Sequence, residues 1–345
     1  MSRTDTDALV VGGGQAALAA SYYLRRQGVE HVLLDAAPDP GGAWRHTWPS
    51  LRLFSPAAYS SLPGWRMPPT EGEENPDAGH VIDYLTRYEE RYDVPVRRPV
   101  RVLDVRRRGE GFEVSTDSGS WRARAVVGAT GTWSRPFVPA VPGLADFRGL
   151  QLHSGGYAGP RAFAGKRVLV VGGANSGAQI ATDLLPVAEV TWATLGEPRY
   201  LPDHVDGREL FRVASARLRG EGEGVGSLGD IVAVPPVREA RDRGSLVPGP
   251  MVRGLTRDGA VGADGVERPV DAVIWCTGFR PELSWLSGIE VPRREGRPVT
   301  DGTPVVPDVP GLFLLGYGDW CGAASATLIG VGQWARLAAE RIRAA

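Results

Sequence analysis

Two glycine-rich turns hold the residues whose types and spacing could do chemistry. The first lies in "LVVGGGQAALAASYYL" (residues 9–24) and the second in "LVVGGANSGAQIATDL" (169–184), and the two align without a gap. They read Gly12-x-Gly14-x-x-Ala17 and Gly172-x-Ala174-x-x-Gly177. Glycine permits a tight turn and lets the backbone approach a pyrophosphate. A helix that starts there offers free N–H groups and the positive end of its dipole. The spacing therefore points to a dinucleotide at each turn. Asp35 ends the next apolar run, "HVLLD", where a carboxylate can accept hydrogen bonds from an adenosine ribose. After the second turn the equivalent run, "EVTWATL", ends near Thr194 without an acid, and Arg199 follows. A missing carboxylate with a nearby arginine favours a 2′-phosphate, hence NADP over NAD. Ala174 adds a methyl where backbone would approach phosphate, which weakens the second signal.

A third stretch, "FRGLQLHSGGY" (147–157), sets Phe147, Gly149, His153 and Tyr157 at F-x-G-x3-H-x3-Y between the two turns. Alone it would also suit a surface loop with two packed rings. The 39 basic and 40 acidic side chains of the 345 residues nearly cancel, which argues against a nucleic-acid partner. The five histidines are scattered without metal-ligand spacing, so no metal is expected. The two cysteines, Cys276 and Cys321, exclude a disulfide scaffold and form no C-x-x-C. No apolar run is long enough for a membrane span and the polar N-terminus is no signal peptide, so a soluble cytoplasmic protein is expected.

Each turn needs a strand before it and a helix after it, and both have them: a β-branched apolar run, then an amphipathic stretch. Residues 39–68 are irregular and aromatic-rich, and a loop of that length is usually functional. "HVIDYLTRYEERY" (80–92) reads as a helix. "VRVLDVRR", "GFEVSTD" and "SWRARAVVGATG" read as an antiparallel excursion returning to the main sheet. Residues 135–143 form a proline-stiffened linker, and 218–230 are glycine-rich and expected to be mobile. "PVDAVIWCTGF" (269–279) resembles "RARAVVGATGT" (122–132): a buried strand, then a Thr-Gly turn. The expected fold is α/β with two Rossmann-like dinucleotide-binding domains. Residues 1–145 and 273–345 would form an FAD domain, interrupted by an NADPH domain at 146–272. Two nucleotide sites in one chain suggest a flavin that stays and a nicotinamide that visits.

This ordered set resembles the class B flavin-dependent monooxygenases, in their flavin-containing monooxygenase form. The family's G-G-x-W is Gly41, Gly42 and Trp44. Its two Thr-Gly turns are Ala129-Thr130-Gly131 and Cys276-Thr277-Gly278, and its late Gly-Asp is Gly318-Asp319. "GGAWRHTWPSLRLFSPAAYSSLPGW" and "PRYLPDHVDGRELF" look closer still to the ArsO-type flavoproteins of bacterial arsenic-resistance operons. The resemblance implies that Gly12, Gly14, Gln15 and Ala16 hold the FAD pyrophosphate and Asp35 its ribose. It puts Trp44 and Arg52 along the flavin, counts Gly42, Ala129 and Gly131 among the cofactor-binding residues, and puts Val102 at the adenine and Asp319 at the ribityl chain. Gly172, Asn175, Ser176, Gly177 and Arg199 would hold NADPH. Arg52, Phe54, His153 and Asn175 make up the candidate catalytic set, with His153 in a hinge that helps place the nicotinamide. Phe54 departs from the family, which carries an Asn there, and this bears on the lifetime of an oxygenated flavin.

The reading is an FAD- and NADPH-dependent monooxygenase. Its peroxyflavin would oxidise a small molecule at sulfur, nitrogen or arsenic, with O₂ as co-substrate and the pocket shaped by loops 39–68 and 200–250. One alternative is a reductase or oxidase without oxygen insertion, and another is a non-enzymatic sensor of FAD and NADP. A disulfide reductase of similar length would need the absent C-x-x-C.

Overall fold

The computed structural model describes residues 3–72, 75–203 and 231–345. His204 and the glycine-rich stretch 218–230 lie outside the described residues. Two compact units form: 1–45 with 55–135 and 281–345, and 46–54 with 136–280.

In the first unit, strand β1 (Arg3–Val11) lies between β2 (His31–Leu34) and β6 (Gly119–Gly128), parallel to both. Ala8, Leu9 and Val10 are fully buried, as expected of a strand covered on both faces. Helix α1 (Gln15–Arg26) returns over the sheet and buries Ala16 to Ala20 and Leu24. Its small residues let it lie close. Helix α2 (Ala78–Arg91) buries Val81, Tyr84, Leu85 and Tyr88. It starts at Ala78 because Asp77 Oδ1 accepts the His80 N–H at 2.8 Å, an ordinary side-chain cap.

After α2 come β3 (Val96–Arg97), β4 (Val102–Arg108) and β5 (Gly111–Thr116), and the sheet runs β3-β2-β1-β6-β5-β4. The β4-β5-β6 meander is antiparallel. On its edge away from β1, strand β6 serves two neighbours. Its first half pairs with β5, and Val126 to Gly128 pair in parallel with the late strand Leu312–Leu314. Leu9, Leu34, Phe112, Val126, Trp285 and Leu314 share the core beneath.

In the second unit, the sheet order is Pro248–Pro250, β9 (Glu189–Thr194), β8 (Arg167–Val171), Ala272–Trp275 and β7 (Leu150–His153). All its pairs are parallel. Helix α3 (Asn175–Leu184) covers it and buries Ala178, Ile180, Ala181 and Leu184.

The unit boundaries differ from the expected 145/146 and 272/273. Ala272–Trp275 is hydrogen-bonded between β7 and β8, so residues 273–280 belong to the second unit. Residues 136–145 belong there too, because Pro136 bridges Phe279 and Phe137 N–H donates to Gly278 O. Residues 46–54, expected in the first domain, also pack in the second. Trp48 meets Tyr157 edge-on at 6.3 Å, and Leu51 and Phe54 rest on the same core.

Candidate functional site

The first glycine turn is shaped by close backbone contacts. Gly12 has φ +115 and donates its N–H to Leu34 O at 2.8 Å. A Cβ there would lie 2.5 Å from Ala129 O, so only glycine fits against the Ala129-Thr130-Gly131 turn. Ala129 N–H closes the contact by donating to Val11 O at 2.8 Å. A Cβ on Gly42 (φ +55) would lie 2.8 Å from the Gly14 Cα, so these two backbones also meet directly. Gln15 braces both sides. Its Nε2 donates to Ala326 O at 2.8 Å, and its Oε1 accepts the Trp44 indole N–H at 3.0 Å. Ala16 is buried under Gly316, where a Cβ would come within 2.7 Å of its own. Asp319 is exposed, with Oδ1 accepting Ala324 N–H at 2.9 Å. Gly131 has φ +68, and Val102 begins β4 two residues after Val100 donates to Asp35 O.

Asp35 is 8% exposed at the end of β2. Its Oδ1 accepts Ala37 N–H at 3.2 Å and its Oδ2 accepts Arg98 Nε–H at 2.8 Å. Sequence reasoning overlooked Arg98 and its second partner, Glu89. Alternation in β3 is the signal that could have found Arg98: Arg97 is exposed and the next side chain turns inward.

The second turn repeats the first bond for bond. Gly172 (φ +133) donates to Ala193 O at 2.9 Å, and its Cβ would lie 2.3 Å from Cys276 O. Cys276 N–H donates to Val171 O at 2.8 Å. Ala174 has φ −110, an extended conformation open to any residue, and its methyl is at the surface. Gly177 cannot vary in the same way, since a Cβ would lie 1.9 Å from Gly172 O. Asn175 Oδ1 accepts Val232 N–H at 2.9 Å, and Ser176 beside it is half-buried. Thr194 is buried and donates to Gly196 O at 2.8 Å, whereas Arg199 is exposed.

The stretch at 147–157 works as a brace for this turn. His153 Nε2 lies 2.9 Å from Gly278 O, so it carries the proton, and Nδ1 accepts Gly155 N–H at 3.1 Å. The ring is neutral with both nitrogens engaged, and burial holds its pKa below the ordinary histidine value. It acts on the Cys276-Thr277-Gly278 turn, not as a free base. Tyr157 is buried and donates to Asp183 Oδ2 of α3 at 2.8 Å; burial and that carboxylate push its pKa up. Gly149 leaves room for the Phe147 ring, which a Cβ would meet at 2.3 Å.

Arg52 N–H donates to Gln179 Oε1 at 3.4 Å, and its side chain lines a cavity of about 320 Å³ with Gln179, Asp183 and Arg243. Phe54 packs on Leu201 and Val232. Thus Arg52, Phe54, His153 and Asn175 all lie in the second unit, and Trp44 lies in the first. Both cysteines are buried, which pushes their thiol pKa values up and leaves no reactive thiolate. Among the described residues no acidic, histidine or cysteine cluster could hold a metal, and no helix is long and apolar enough to cross a membrane.

These paired turns can be compared with known proteins. The pyridine nucleotide-disulphide oxidoreductase family model matches residues 9–205, more than half of the chain. The flavin-containing monooxygenase from Stenotrophomonas maltophilia is 48% identical and superposes with a TM-score of 0.90, covering 99% of each chain. The chain belongs to the flavin-containing monooxygenase family. An uncharacterized CzcO-like oxidoreductase from Geobacillus kaustophilus is 29% identical, over 94% of this chain and 95% of the relative. An indole-3-pyruvate monooxygenase from Oryza sativa subsp. japonica is 28% identical, over 81% of this chain and 78% of its own length.

Flavin-containing monooxygenases are FAD- and NADPH-using oxidoreductases, and the local geometry fits such groups. Helix α2 closes its N-terminus with Asp77, whereas α1 and α3 begin at Gly14 and Ala174 with no side-chain cap. An uncapped helix start beside a small-residue turn suits a pyrophosphate.

Two outcomes are expected. Gly177→Ala should destabilise the second unit by about 1–3 kcal/mol in urea unfolding, because the methyl meets backbone that cannot yield, while Ala174→Gly should change little. For His153 the folded pKa is lowered, so the neutral ring stabilises the fold above the unfolded pKa. That contribution should fade as pH falls through the unfolded value toward the folded one. His153→Gln should therefore flatten the loss of stability expected of the wild type as pH falls below the ordinary histidine pKa, read by urea unfolding across that range; an unchanged slope would remove His153 from this role.

Proposed function

We propose that the protein is an FAD- and NADPH-dependent monooxygenase that transfers one oxygen atom from O₂ to a small molecule at sulfur, nitrogen or arsenic. The observation that carries this reading is the pair of uncapped helix starts, each seated on its own Thr-Gly turn. Bound FAD supplies the hydride acceptor for NADPH and, once reduced, the means of activating O₂.

The residues divide the work. Backbone N–H groups at Gly14, Gln15 and Ala16 hold the FAD pyrophosphate, Gly12, whose own N–H is bonded to Leu34 O, gives the turn its close approach, and Asp35 takes the adenosine ribose. Val102 offers backbone to the adenine. Gly42, Trp44, Ala129 and Gly131 border the flavin, and Asp319 takes the ribityl chain. Gly172, Asn175, Ser176 and Gly177 hold the NADPH pyrophosphate, and Arg199 its 2′-phosphate. Arg52 and Phe54 join Asn175 as the catalytic candidates of the second unit, and His153 keeps the second Thr-Gly turn in place. An arsenical of the ArsO-type kind is within this substrate class. It would not be held by three thiolates, because the chain has two cysteines and both are buried.

One observation favours a second reading, oxidase or reductase turnover without oxygen insertion. Phe54 meets Leu201 and Val232 and has no hydrogen-bonding group to offer where related enzymes carry an amide. Turnover under ¹⁸O₂ with thioethers, amines and trivalent arsenicals separates the two. One labelled oxygen in the product supports the monooxygenase. Hydrogen peroxide equal to the NADPH consumed supports the oxidase, and no NADPH consumption would leave only a sensor.

NADPH should be preferred over NADH by about 10- to 100-fold, the equivalent of one charge-assisted phosphate contact of roughly 1.5–3 kcal/mol. Arg199→Ala should raise the Michaelis constant for NADPH and leave that for NADH little changed. Equal losses for both would make Arg199 a packing residue.

A further inference from the structure

We propose that Arg98 is a positioning residue for FAD, acting through Asp35 to set a two-acceptor seat for the vicinal hydroxyls of the adenosine ribose. The inference rests on the FAD reading above.

The guanidinium of Arg98 spends its donors in three directions. Nε donates to Asp35 Oδ2 at 2.8 Å, Nη1 and Nη2 reach the two carboxylate oxygens of Glu89 at 2.5 and 2.9 Å, and Nη2 also faces Gly13 O at 3.5 Å. The three side chains are 9%, 11% and 15% exposed for Arg98, Asp35 and Glu89. One arginine thus ties the end of β2, the inner face of α2 and the glycine turn together. The planar fork of arginine suits this, and lysine could not satisfy all three partners.

The consequence falls on Asp35. A Cβ on Gly13 would lie 2.2 Å from Asp35 Oδ2, so the carboxylate is pressed against the turn itself. An ionised carboxylate oxygen has two acceptor positions. Oδ1 spends one on Ala37 N–H and Oδ2 spends one on Arg98, which leaves one position on each oxygen. Two carboxylates against one guanidinium also leave one negative charge. The seat therefore accepts a pair of hydroxyl donors and disfavours a phosphate. Without Arg98 the Asp35 carboxylate would lose its fixed rotamer and stand near Glu89 with no cation between them.

The test is reconstitution of the apoprotein with FAD and, separately, with FMN, which lacks the adenosine ribose. Dissociation constants are read from flavin fluorescence quenching. Arg98→Gln should raise the FAD constant about 10- to 100-fold and the FMN constant less than about threefold. Arg98→Lys should recover part of the loss, and it carries the same comparison if Arg98→Gln does not fold. In an Asp35→Asn background, the Arg98 substitution should change FAD binding less than about threefold. Equal losses for FAD and FMN, an undiminished effect in the Asp35→Asn background, or unchanged FAD binding would each overturn the proposal. A wild-type protein that binds no FAD would overturn the underlying FAD reading instead.

Discussion

In both units a glycine α-carbon rests on a carbonyl oxygen at a distance no side chain permits. Gly12 meets Ala129 O, and Gly172 meets Cys276 O. Each contact joins the end of one buried strand to the end of its parallel neighbour. The neighbour's N–H then donates back to the residue just before the glycine, from Ala129 to Val11 and from Cys276 to Val171. This pairing fixes where the following helix begins, and so where its uncapped N–H groups point. A pyrophosphate site made of backbone can be no better placed than those two strand ends. Much of the rest follows from that constraint: small residues on α1, the second glycine pair at 41–42, and the buried run of each central strand.

Polar side chains, Tyr157 buried and Gln15 and His153 half-buried, then hold the turns from behind. Gln15 spans from Trp44 to Ala326, His153 spans from Gly155 to Gly278, and Tyr157 reaches Asp183. Each joins segments far apart in the chain, and each uses its groups fully. Removing an amide or imidazole even partly from water costs stability unless its polar atoms are bonded, and here the loops that these residues join supply those bonds.

The strand–turn–helix units, the meander and the Thr-Gly turns were legible because their signals are local: apolar runs, glycine spacing and alternation. The seating of residues 46–54 against the second unit was not. Trp48 packs on Tyr157, and Arg52 N–H bonds Gln179, more than a hundred residues away, and no local pattern carries that choice. The unit boundary was misplaced for a related reason. Ala272–Trp275 reads as a buried strand, but only its pairing with β7 and β8 shows which sheet it completes. Arg98 was hidden among neighbouring arginines, since one-residue alternation decides which of them is buried.

The two nucleotide turns share backbone geometry and differ at the strand ends beyond them. After β2 the carboxylate of Asp35 is buried, bonded and clamped by Arg98. After β9 the Thr194 hydroxyl is spent on Gly196 O, Leu195 is 91% exposed, and Arg199 is exposed. A ligand bound at the first end would trade water for pre-aligned, buried acceptors and so dissociate slowly. A ligand at the second end would meet a solvent-facing arginine, whose contribution is screened and whose contacts break easily. Under the proposed assignment the first arrangement suits a flavin that remains through many turnovers, and the second suits a nicotinamide that must leave after each one. Under that assignment the same turn could serve both cofactors, with residence time set by the strand end beyond it.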